Sequence, residues 1–189
     1  VRYRGKEGPA DIHLAWDDFL EDTWDLPLDA SVVPDAPGEL LTVAAAFARR
    51  VWRRWLKDRR FPYDLGDQTS RFGLDGALLL GSRSAGLTCA TFALALLRTA
   101  GITLVDFAEW PVRSDEDRLW LASISGWADR SVVQRMTTSV EAGALRVKPE
   151  EAFAACMLAP PPAAFATLAA VAADVARRLA HPPTGPTEA

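Results

Sequence analysis

Apolar residues along the chain recur with two different periods. Around position 12, Ile12, Leu14 and Trp16 alternate with His13 and Ala15, the period-2 pattern of a half-buried strand over 11–16. Over 39–58 the spacing becomes helical. Leu40, Val43, Ala44, Phe47, Val51, Trp52 and Trp55 share one face, and Arg49, Arg50, Arg53, Arg54 and Lys57 share the other. A second helix, almost wholly apolar, spans 89–100 and stops at Gly101. Ser114 followed by Asp115-Glu116-Asp117 reads as an N-cap, an acidic first turn and a capping-box position for a third helix. Two more helices are expected over 130–142 and 149–158, the latter with Pro149 in its first turn. An alanine-rich helix follows the break at Pro160-Pro161-Pro162 and runs to 179.

The intervening segments carry weaker signals. Residues 17–29 interleave acids with Trp24, Leu26 and Leu28 and read as irregular, leading to a short strand near 31–33. Residues 59–84, rich in glycine and aspartate, read as a long irregular stretch that includes Phe61-Pro62-Tyr63. Residues 102–107 and 145–147 read as extended. Together these elements predict a helix-rich α+β domain over 1–158, with a small antiparallel sheet packed among several helices. A C-terminal helix over 159–181 is expected either to fold back or to dock on a partner protein or a second copy. The tail 182–189 is expected to be disordered.

Composition narrows the functional classes. A formal net charge of −4 argues against a general nucleic-acid binder. The longest alanine-rich run is broken by Asp174, Arg177 and Arg178, so no membrane span is expected, and a start without an apolar stretch points to the cytoplasm. Without a phosphate-cradling glycine motif or paired-cysteine spacing, no cofactor and no metal are expected. The cation-rich helix face reads as a solvated face rather than a phosphate or lipid site. The acids at 115–117 read as capping rather than metal ligands.

Candidate chemistry concentrates in Gly86-Leu87-Thr88-Cys89-Ala90-Thr91-Phe92. A cysteine at a helix N-terminus is exposed to unpaired amides and the helix dipole, which favour the nucleophilic thiolate. Gly86 removes bulk before the turn, and Thr88 offers a capping hydroxyl. The competing reading is a packed thiol, as expected for Cys156 within its apolar helix. Of the two histidines, His181 lies by the tail and reads as surface. His13 lies on the polar face of the first strand with Asp17, where an acid can orient an imidazole. The alternative for that face is a scatter of surface polar groups. A redox-sensing thiol, needing no histidine, is a further reading of Cys89.

The phrases His13-Leu14-Ala15-Trp16 and Gly86-Leu87-Thr88-Cys89-Ala90-Thr91-Phe92 resemble the circularly permuted NlpC-type, papain-like cysteine hydrolases, in which the histidine strand precedes the cysteine helix. The resemblance extends over about 10–157 and rests on these two short motifs. It implies a Cys89 nucleophile, a His13 general base, and a third polar residue to orient the imidazole, for which Asp17 is the candidate. Related sequences often carry a histidine where Asp17 stands. The activity implied is hydrolysis or acyl transfer on an amide, ester or thioester, with a peptide, acyl or lipid-like substrate. The alternative is an interaction or adaptor module on an inactive fold of the same kind.

Overall fold

The computed structural model describes residues 2–4, 9–24, 31–66 and 68–180. The expectations for His181 and for the tail 182–189 lie outside the described residues. The chain is a helix-rich α+β fold. It begins with an antiparallel sheet of β1 (Arg2–Arg4), β2 (Pro9–Trp16) and β3 (Phe19–Trp24), in that spatial order. β3 falls where the sequence predicts an irregular segment. Its acids hide the strand, because acids are uncommon in strands. Asp17 and Asp18 instead form the turn of a hairpin, with Asp18 in the left-handed region at φ 52°. Leu14 faces Leu20 and Trp16 faces Phe19, so β2 carries one extra residue, Ala15, at this end.

The long helix α1 (Gly38–Asp58) follows, buried through Ala44, Ala48, Val51 and Trp55. No strand forms at 31–33. Within 59–84 a two-residue-strand hairpin pairs β4 (Arg71–Phe72) with β5 (Leu78–Leu79). The apolar helix α2 (Cys89–Thr99) runs through the middle of the molecule, packed against α1, β2 and β4. Most of its side chains are buried on all sides, which explains why its sequence lacks a polar stripe.

Of the extended stretch at 102–107 only β6 (Val105–Asp106) is a strand, and 145–147 forms none. The helices α3 (Ser114–Ile124), α4 (Arg130–Glu141) and α5 (Pro149–Met157) come next. β7 (Ala163–Ala164) pairs parallel with β6 and leads into α6 (Phe165–Ala180). α6 folds back onto α5 and buries Leu168, Ala172 and Val175, so this apolar face is used within the chain. Among the described residues two apolar clusters result. One gathers Ile12, Leu14, Leu20, Trp55, Phe61, Phe92, Leu96 and Met136; the other gathers Leu94, Leu97, Ile102, Trp110, Val147 and Leu168. α2 contributes to both. No helix among the described residues is long and apolar enough to cross a membrane.

Candidate functional site

Cys89 is the first residue of α2, and the local sequence holds it there. Thr88 is the N-cap, in extended conformation: its hydroxyl accepts from Thr91 N at 3.2 Å, and Thr91 Oγ1 accepts from Thr88 N at 2.7 Å. Just before it, Leu87 N donates to Pro62 O at 2.9 Å and Asp64 N donates to Leu87 O at 3.3 Å. This close pairing passes directly over Gly86. A Cβ there would lie 2.7 Å from Pro62 C and 2.9 Å from Asp64 N, distances only glycine avoids.

The pairing delivers Tyr63 to the thiol. Tyr63 is buried, and its hydroxyl lies beside the Cys89 sulfur, where it favours the thiolate. Its ring packs 4.7 Å from Trp16, which in turn packs 4.8 Å from the exposed Trp127. An aromatic row therefore leads from the thiol to the surface. Beside it, the Arg146 guanidinium lies 4.3 Å over the Trp120 ring and donates to the buried Asp117 at 3.0 Å.

These surroundings decide the state of the thiol. Burial pushes Cys89 up from its ordinary pKa, outweighing the Tyr63 hydroxyl, the amides of Ala90 and Cys89, and the charge of Arg146, all of which favour thiolate. Burial, together with Cys89 beside it, also pushes the Tyr63 phenol far up. Both groups stay protonated at neutral pH. Cys156, half-buried in α5, is pushed up to about 11 by burial alone.

His13 is paired with a different residue. Strand alternation sends Ile12 and Leu14 into the core and His13 to the opposite face of β2. There His13 Nε2 pairs with the carboxylate of Glu21, its cross-strand neighbour, at 2.9 Å. Among the described residues no hydrogen bond joins His13 to Cys89. Asp17 does not orient His13 either. The hairpin turn carries Asp17 toward the core side, where its Oδ1 accepts from Tyr63 N at 2.7 Å and from Arg135 Nη2. Arg135 also donates to Tyr63 O at 3.0 Å. Cys89 and Asp17 thus meet on Tyr63, one beside its hydroxyl and the other at its backbone, while His13 pairs with Glu21.

Three residues of this cluster escape sequence reasoning: Tyr63, Arg146 and Glu21. Tyr63 sits in an aromatic triplet within an irregular segment, and Arg146 between two apolar residues. Their position beside Cys89 depends on contacts between residues far apart in the chain. The acidic cluster also differs from expectation. The N-cap of α3 is Arg113, without a side-chain cap, and Asp117 serves Arg146 instead of a capping box. Glu116 pairs with Lys148, whose hydrogen bond holds its carboxyl below the usual range. On α1, Arg50 donates to Leu74 O at 2.6 Å, Arg54 reaches Asp75 at 3.3 Å, and Arg59 beyond the helix stacks on Trp55 at 4.1 Å. Much of the basic face is thereby engaged internally. Among the described residues no group of three or more histidine, cysteine or acidic side chains is placed to hold a metal ion. No protein-family model, no curated protein and no solved structure matches the chain.

Proposed function

We propose that this chain is a non-enzymatic interaction module, built on a scaffold resembling the permuted papain-like hydrolases and lacking their working cysteine–histidine pair. The observation that carries this reading is the pairing at the two ends of the expected dyad: Cys89 with Tyr63, and His13 with Glu21. Nucleophilic catalysis by a thiol needs a base in hydrogen-bond reach that can take its proton. Tyr63 is itself held protonated and so cannot take the proton of the thiol. The aromatic row ending at the exposed Trp127 supplies what recognition surfaces commonly use, large rings of low conformational cost beside paired charges. A polypeptide partner fits that surface. Both cysteines are free, in keeping with a cytoplasmic setting.

A second reading keeps the hydrolase. It is favoured by the placement of Cys89 at the start of α2, where the amides of Cys89 and Ala90 and the charge of Arg146 all assist thiolate. It requires His13 to leave Glu21 and come within hydrogen-bond reach of Cys89.

One experiment separates the two. The rate of Cys89 alkylation by iodoacetamide is followed against pH in a Cys156→Ser background, with and without His13→Ala. The interaction module predicts a slow thiol that gains reactivity only above the ordinary thiol pKa of about 8.5, with the same profile after His13 is removed. A thiol already ionised near neutral pH, and lost as thiolate in His13→Ala, would overturn it in favour of the hydrolase.

A further inference from the structure

A groove of about 540 Å³ lies between the 68–84 segment and the C-terminal end of α4 with the loop that follows it. None of Cys89, Tyr63 or His13 lines it, so it stands apart from the reading of the cysteine site. Its size falls in the range of small-molecule sites, about 300–1,000 Å³. The lining is polar in a particular way: Thr69, Ser82, Ser84, Thr138 and Ser139 bring hydroxyls, and among the described residues Arg83 is the one charged side chain.

The hydrogen bonds of these groups define what is left for a ligand. Ser84 donates to Gly86 O at 2.7 Å, Thr138 to Gln134 O at 3.1 Å, and Ser139 to Asp64 Oδ2 at 2.6 Å. With their protons committed inward, these three oxygens offer only lone pairs, and they call for donors on the ligand. Asp64 is fully buried, so the Ser139 hydroxyl is anchored from below and holds its orientation. Thr69 and Ser82 make no side-chain hydrogen bond among the described residues and remain able to donate or accept. Arg83 is exposed and forms no ion pair among the described residues. A guanidinium in a groove with no acidic lining among the described residues, on a chain of net charge −4, selects an anionic group.

We propose that this groove binds a small anionic polyol, a molecule with several hydroxyls and one carboxylate or phosphate. Each ligand hydroxyl both donates and accepts, which matches a lining of fixed acceptors beside free hydroxyls. The anionic group meets Arg83. Among the described residues no aromatic side chain lines the groove, so a nucleobase or an aromatic acid would find no ring to stack on.

The test uses the full chain and isothermal titration with gluconate, glucose 6-phosphate, sorbitol and inorganic phosphate as probes. Gluconate or glucose 6-phosphate is expected to bind saturably, at least about tenfold more tightly than sorbitol or inorganic phosphate, a difference of about 1.4 kcal/mol. Preference between the first two assigns the carboxylate or the phosphate, and either preference supports the site. Arg83→Gln is expected to abolish the advantage over sorbitol, and Ser82→Ala to weaken binding of the anionic polyol. Neither residue has an intramolecular side-chain partner among the described residues, so both variants should keep the fold, which circular dichroism checks. Absence of saturable binding, equal affinity for all four probes, or an Arg83→Gln variant that binds as the parent does would overturn the proposal.

Discussion

The Tyr63 hydroxyl lies beside the Cys89 sulfur, in a setting whose burial keeps both groups protonated. A donor on the sulfur favours thiolate, so it works against the burial that raises the thiol pKa. Tyr63→Phe removes the donor and retains the ring that packs on Trp16. The Cys89 pKa should then move further up, and alkylation at neutral pH should slow by about threefold or more. Rates measured in the Cys156→Ser background report this directly. A faster reaction in Tyr63→Phe would show that the hydroxyl shields the sulfur sterically instead of tuning it.

Gly86 is the second point at which this site is built. The pairing of Leu87 with Pro62 and Asp64 runs so close that a Cβ at position 86 meets backbone atoms, which cannot swing aside as a side chain can. Gly86→Ala should therefore separate the two segments and withdraw Tyr63 from Cys89. A loss of about 2–3 kcal/mol is expected, at the upper end of the cost of overpacking. Urea unfolding measures it. Parental stability in the Gly86→Ala variant would mean that the segments part without cost.

How much of the fold and site is legible in the sequence follows from the range of the forces involved. Local signals read well: the period-2 pattern of Ile12 and Leu14 marks a strand, and the helical spacing from Leu40 to Trp55 marks a helix. Gly86 and Thr88 announce the tight turn and cap at Cys89. Signals of pairing between distant segments do not read. Leu20 belongs to a strand because β2 pairs with it, although Glu21 and Asp22 argue against one. Asp117 looks like a capping residue because its local setting is that of a cap, yet Arg146, far along the chain, claims it. The same limit applies to His13. Alternation along β2 assigns its face of the strand, but which face the cysteine helix covers is a tertiary fact.

Arg135 ties three elements together. It reaches from α4 to Asp17 in the β2–β3 turn and donates twice to Tyr63 O, at 3.0 and 3.2 Å. The Asp17 and Arg135 side chains are 21% and 29% exposed, so solvent screens part of the attraction. Arg135→Ala is expected to cost about 1–2 kcal/mol, between the values for surface and buried pairs. Arg135→Lys should recover only part of this, because a single ammonium cannot span both a carboxylate and a carbonyl as the guanidinium fork does. Denaturant midpoints for the three proteins decide the point. Full recovery by lysine would show that charge alone matters.

Asp64 gives the fold a pH dependence of unusual sign. It is completely buried, and burial raises its pKa above the ordinary carboxylate value, outweighing the hydrogen bonds from Ser139 and Leu65 N that favour the charged form. A native carboxyl with a raised pKa binds its proton more tightly than the unfolded chain does. Its favourable contribution is therefore fully present below the unfolded pKa of about 4, and is lost as pH rises through the native value. Most acids stabilised by ion pairs behave in the opposite way, so the total stability curve mixes both. The Asp64→Asn variant separates them, since the other groups are shared with the parent and cancel in the difference. Relative to that variant, the parent should be more stable at pH 4 than at pH 7, with the change following Asp64 ionisation. Urea midpoints taken across this range provide the measurement. A difference independent of pH would mean that Asp64 ionises in the folded protein as readily as in the unfolded one.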